Sequence, residues 1–152
     1  MPIADPVPRP FPDDAAIRRV GEGVLACTLP KDDWTHEAHI AATCWLLRDR
    51  PDVNVDAEIA TIICRYNESV GGVNDDTSGY HATITQSFVS GIRSYLAHAA
   101  PEASLVVTVN TLLLRAEGRR DWPLRFYSRD QLFSVAARRD FVAPDLAPLP
   151  GA

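Results

Sequence analysis

The stretch WTHEAHIAATCWLLRDRP, residues 34–51, decides the fold. Asp32, Asp33 or Thr35 can cap a helix start, and Arg50 before Pro51 ends the helix, because the residue preceding proline is driven out of the α region. At 100° per residue, His36, His39, Ile40, Thr43, Leu46 and Leu47 share one side, while Ala38, Ala42 and Trp45 share the other. Only a narrow stripe with Glu37 and Arg48 reads as wet. A helix with two apolar sides has to be packed on both, so the rest of the chain is expected to supply further helices.

Working outward, the prolines at 2, 6, 8, 10 and 12 lock φ and remove amide donors, which makes 1–12 an extended arm. Asp13 or Asp14 then caps a helix to about Cys27, with Ile17, Val20, Val24 and Leu25 inward and a cost of about 1 kcal/mol at each of Gly21 and Gly23 relative to alanine. Beyond Pro51, a helix over 55–70 turns Ile59, Ile62, Ile63, Tyr66 and Val70 inward. The segment GGVNDDTSG, 71–79, is the longest turn-forming run and the natural functional loop.

From about Tyr80 to His98 the spacing predicts a helix with Ile84, Phe88, Ile92, Tyr95 and Leu96 buried and Thr83, Gln86, Ser90 and Arg93 outside. Leu105, Val109, Leu112 and Leu113 share a face of a helix over 103–115, although the β-branched run there also suits a strand. After a loop at 118–123, Ser128 to Gln131 has the form of a capping box leading into Leu132 to Arg138. Residues 141–152 form an extended tail. The expectation is an all-α, single-domain bundle of about five to six helices over 13–140, flanked by extended proline-rich ends.

With 152 residues the chain is long enough to bury a core without disulfides. Its net charge of −5 and its scattered arginines offer no face for neutralising phosphates, so nucleic acid is not an expected partner. Cys27, Cys44 and Cys64 are an odd set with no C-x-x-C pair and fall in apolar patterns, which favours a reducing cytoplasm. Neither a signal peptide nor an apolar run of ~18 residues is present, so no membrane is expected.

Three of the four histidines fall in WTHEAH, 34–39, and GYHATIT, 79–85. His36 and His39 lie one turn apart on the same side of their helix, and His81 reads as projecting from the buried stripe of another. Three converging imidazoles would hold a divalent transition metal (Zn, Fe, Cu or Ni) with positions left open for water or substrate. On that reading the metal set is His36, His39 and His81, and these with Tyr80 are the catalytic candidates. Asn67, Asp75 and Thr85 are candidates for holding a substrate, with the 71–79 loop as entrance. The alternative is that the histidines only hydrogen-bond inside the core or cap helix starts; H-x-x-H is not the H-E-x-x-H zinc motif. Glu37 falls away from the histidine face and reads as solvated.

The segments at 34–39 and 79–85, with the P-L-x-x-Y-S and A-R-R-D-F-V-x-P-D pattern at 123–145, resemble an uncharacterised family of short bacterial helical proteins, over about Leu25 to Pro148. The resemblance carries no activity with it. Metal-binding bundles of the DinB type are similar in having three inward histidines, but their spacing and position differ from those here.

Three functions follow as expectations. The first is a metal-binding enzyme acting on a small polar substrate through the three histidines. The second is a metal-free enzyme or small-molecule binding protein, with Tyr80 or Thr85 positioning the ligand and one histidine as general base. The third is a non-catalytic interaction module whose proline-rich ends dock on a partner. The expected partner is a small-molecule ligand or substrate, with a homodimer left open.

Overall fold

Each helix begins where a side chain takes up the amide three residues further on. In the computed structural model, which describes residues 7–151, Asp13, Thr35, Asn54 and Ser104 do so and open α1 (Asp14–Leu25), α2 (His36–Asp49), α3 (Val55–Ser69) and α5 (Leu105–Leu113). His81 opens α4 (Ala82–His98), and Ser128 and Ser134 open α6 (Arg129–Leu132) and α7 (Val135–Arg139). Single 3-10 turns lie at Lys31–Asp33, Ala116–Gly118 and Trp122–Arg125. The described residues contain no strand. The fold is thus an all-α single-domain bundle, and the ambiguous 103–115 segment is helical over Leu105–Leu113. Residues 1–6 of the expected arm and Ala152 lie outside the described residues.

α2 is the axis of the bundle and packs against α1, α4 and α5, with Ile17, Ile40, Cys44, Ile92, Val109 and Leu112 meeting in one core. The expected wet stripe on α2 is absent. Glu37 keeps only 14% of its side-chain surface, and Arg48 is half-buried because its guanidinium reaches over to donate to the Ala103 carbonyl at 2.6 Å. Glu37 is covered because Arg120, just beyond the turn at Ala116–Gly118, comes down over it. A helix wheel carries no information about a cover of that kind, which comes from irregular chain far away in sequence.

α3 packs on α1, where the Arg65 guanidinium donates to the Leu25 carbonyl and the fully buried Tyr66 hydroxyl donates to the Leu29 carbonyl at 2.9 Å. The backbones of α2, α3 and α4 do not close on one another as tightly as α1 closes on α2.

The glycines of α1 have a positive role in this packing. A Cβ at Gly21 would stand 2.2 Å from Trp45 Cε3, so the indole lies directly on the backbone of α1. Gly21→Ala is therefore expected to destabilise the protein. Overpacking costs about 1–3 kcal/mol against a propensity gain of about 1. Urea unfolding would show a lowered midpoint; a raised one would mean that helix propensity outweighs the contact.

Both ends of the described chain are held by side chains. Asn110 exchanges two hydrogen bonds with the Phe11 backbone, and the Asp14 carboxylate accepts from the Val106 amide at 2.7 Å. At the other end the Thr83 hydroxyl donates to the Asp140 carbonyl and accepts from the Val142 amide, Tyr127 donates to the Val142 carbonyl, and Ser90 donates to the Pro150 carbonyl. This strap covers Thr83, which the sequence pattern leaves outside and which is fully buried, while the equally buried Ser87 lies under Trp122, whose indole donates to its carbonyl.

The single helix expected over 129–138 is two short ones. Ser134 is extended and caps a new start, so α6 stops after Leu132. Half of the expected capping box is also replaced, because the Ser128 amide donates to Asp145 and not to Gln131.

Candidate functional site

The space left between α2, α3 and α4 is a cleft of about 310 Å³. Its walls are Ile40, Ile63, Ile84 and Phe88, and its polar groups are His36, His39, Thr43, Thr85 and Arg120. Apolar walls with a few convergent polar groups are the usual make-up of a small-molecule pocket, and the volume is at the small end of the ~300–1,000 Å³ range.

Each histidine has a distinct local job. The Nε2–H of His36 donates to the Gly118 carbonyl at 2.8 Å, tying α2 to the turn after α5, and its ring meets Phe88 edge-on at 5.8 Å. The Nδ1–H of His39 donates to the Thr35 carbonyl at 2.7 Å, and its ring stacks on Trp34 with centroids 3.7 Å apart. A carbonyl can only accept, so His39 carries its proton on Nδ1. Burial pushes this imidazole from 6.5 down to about 4; the Thr35 hydrogen bond opposes the shift, and nearby His36 adds to it. Near neutral pH the ring is uncharged and Nε2 keeps a lone pair.

His81 has both ring nitrogens engaged. Nδ1 accepts from the Ile84 amide at 3.1 Å, and the buried Nε2–H donates to the Leu132 carbonyl at 2.8 Å. Burial lowers its pKa as well, the Leu132 bond opposing. His81 is the cap of α4 and sits in extended backbone, with φ −132° and ψ 110°. It does not continue the helical stripe, so the inward direction read from the wheel does not apply to it.

The three-histidine metal site is therefore corrected. Among the described residues, no group of three or more His, Cys, Asp or Glu side chains could hold a metal ion. His36 and His39 line the cleft without His81, whose nitrogens close a helix cap and bind α4 to α6. The donor set expected for Zn, Fe, Cu or Ni does not come together among the described residues.

The remaining candidates are placed as follows. Tyr80 is half-buried beside the cleft, its phenol raised by burial and partly restored by a hydrogen bond to the Thr85 side chain. Thr85 lines the cleft itself. Asn67 donates to Asn74, whose carbonyl oxygen also accepts from the Tyr80 amide, so the pair shapes the 71–79 loop. The Asp75 carboxylate accepts from the Thr77 amide and hydroxyl and from the Ser78 amide, which lowers its pKa and closes a tight turn at the surface.

Arg120 and Thr43 belong to the same cleft and were not among the sequence candidates. Thr43 carried a signal, since it shares the histidine side of α2. Arg120 carried none, being one of several arginines in a loop.

A larger groove of about 820 Å³ runs between α4 and the C-terminal strap. Its charged groups Arg93 and Asp56 are already paired at 3.3 Å, and Ser90 is bound to the Pro150 carbonyl. In the smaller cleft His36, His39 and Thr43 also bond to backbone carbonyls, but the Arg120 guanidinium has no charged partner closer than 3.7 Å among the described residues and faces the same space as the histidines. No family model, no curated protein and no solved structure matches this chain. Among the described residues, no helix is long and apolar enough to cross a membrane.

Proposed function

We propose that this chain binds a small organic molecule in the cleft between α2 and α4. The observation that carries this reading is the convergence of His36, His39, Thr43, Thr85 and Arg120 on a space walled by four large apolar side chains. Binding is favoured over proton transfer by His39. A general base works best with a pKa near the operating pH, and an imidazole at about 4 is a weak base near neutrality.

The test is a fragment screen by thermal shift on the wild type and on Thr43→Phe. The phenyl ring enters the cleft in place of the threonine methyl and hydroxyl, and the one hydrogen bond lost runs from that hydroxyl back to the His39 carbonyl of the same helix. Ligands that bind the native state raise its midpoint, by about 2.7 kcal/mol of stability at 100 times Kd. Hits on the wild type should weaken at least tenfold in Thr43→Phe, with the unliganded midpoint little changed. Hits retained by the variant, or no hits on the wild type, would remove the cleft as a binding site.

A further inference from the structure

The charge inside the cleft narrows what can occupy it, provided the cleft is a ligand site as proposed above. Among the described residues that line it, Arg120 is the permanent charge and no carboxylate is present. Arg120 approaches Glu37 at 3.7 Å, too far for a hydrogen bond, and its side chain keeps 51% of its surface. The planar fork of guanidinium donors is therefore not spent on Glu37. It stands at the border between the cleft and a smaller recess, about 220 Å³, that Glu37 and His36 line.

We propose that the occupant is a small monoanionic carboxylic acid with a branched-alkyl or aryl body, its carboxylate received by Arg120 and its hydrocarbon by Ile40, Ile63, Ile84 and Phe88. Arginine pairs with a carboxylate through two parallel hydrogen bonds, a geometry that the long contact to Glu37 lacks. His39 adds no positive charge near neutral pH, since burial holds its imidazole well below the ordinary histidine value. One cation facing four hydrocarbon walls, with the Glu37 carboxylate 3.7 Å from its guanidinium, suits at most a single negative charge on an apolar body, and it leaves a dianion such as inorganic phosphate uncompensated and poorly solvated.

The experiment is calorimetric titration with 3-phenylpropionate and 4-methylpentanoate, each against its own primary amide, with inorganic phosphate as a control. The acids should bind at least tenfold more tightly than the amides, and phosphate not measurably. Arg120→Gln should erase the preference while leaving weak binding of acid and amide alike; because the residue is exposed, the variant should fold normally. Glu37→Gln should strengthen acid binding by removing the competing carboxylate.

Equal binding of acid and amide, or a preference that survives in Arg120→Gln, would overturn the carboxylate assignment. So would tighter binding of phosphate than of either acid, or no binding of either acid. If neutral fragments still bind the wild type and lose affinity in Thr43→Phe, the cleft stands as a ligand site and only the ligand class is wrong. Loss of both behaviours would remove the site itself.

Discussion

Trp122→Ala is expected to cost about 3–5 kcal/mol, the range for truncating a large buried aromatic side chain, and to lower the thermal midpoint by roughly 10 °C in a chain of this size. The indole is 5% exposed, and its Nε1–H donates to the Ser87 carbonyl at 2.9 Å inside α4. Phe126 meets it edge-on at 4.8 Å. Gly91 completes the site, since a Cβ there would stand 2.6 Å from the indole Nε1. Truncating the ring removes the turn at Trp122–Arg125 from the flank of α4 and leaves a void that the rigid helix cannot collapse into.

The same contact gives a sign reversal. Gly91→Ala alone should destabilise by about 1–3 kcal/mol, because the added methyl meets the indole. In the Trp122→Ala background it should be neutral or stabilising, since alanine is the better helix former by about 1 kcal/mol and the obstacle is gone. Chemical denaturation of the four proteins measures this directly. Additive costs would mean that Gly91 is required for another reason.

Acid lability is the second large expectation. In the unfolded chain His39 takes up a proton near its ordinary value of 6.5, whereas in the folded protein burial delays this to about 4. Between these values the unfolded state binds more protons, so stability falls as pH falls through the window and is fully present above 6.5. At about 1.4 kcal/mol per pH unit, discounted because the half-buried ring keeps some access to water, the loss is on the order of 2–3 kcal/mol. His81 acts in the same direction, its imidazole also lowered by burial. The carboxylates of Asp76 and Asp145, held below their usual range by Arg139 and by Ser128, lose their contribution at lower pH and stay out of this window. Urea midpoints from pH 7 to pH 4 should therefore decline, and His39→Gln should flatten the decline. A flat wild-type profile would mean that the ring protonates freely in the folded state.

Much of the bundle was legible because its helix starts are chemical. Asp13, Thr35 and Ser128 announce their helices by residue type, and the apolar spacing gives the inward faces of α1, α3 and α5, although the cap at Ser104 falls inside the helix expected over 103–115. What stayed hidden is what irregular chain does at long range. The strap that buries Thr83, the loop that covers Glu37, and Gly21 and Gly91 lying against tryptophans from distant segments leave no periodic trace. The second helix start at Ser134 was masked by an apolar pattern that continued through it.

In the candidate site, the shared side of His36, His39 and Thr43 was readable from the period of α2, and all three line the cleft. His81 is misplaced because the spacing predicts the helix from about Tyr80 and it begins at Ala82, so an imidazole read as projecting from the buried stripe is the cap. Histidine is an uncommon cap, and its ring nitrogen here does the work that an Asp or Ser oxygen does at the other starts.

The most direct test of the cleft is a chemical-shift map by NMR, titrating the tightest-binding fragment into labelled protein. The expected result is saturable shifts centred on Ile40, Thr43, Ile84, Thr85 and Phe88, with the His39 ring perturbed and the His81 ring unmoved. Shifts concentrated instead on Ser90, Arg93 and Leu149 along the α4 groove, or no saturable shift at all, would contradict the assignment of the ligand site to the histidine face of α2.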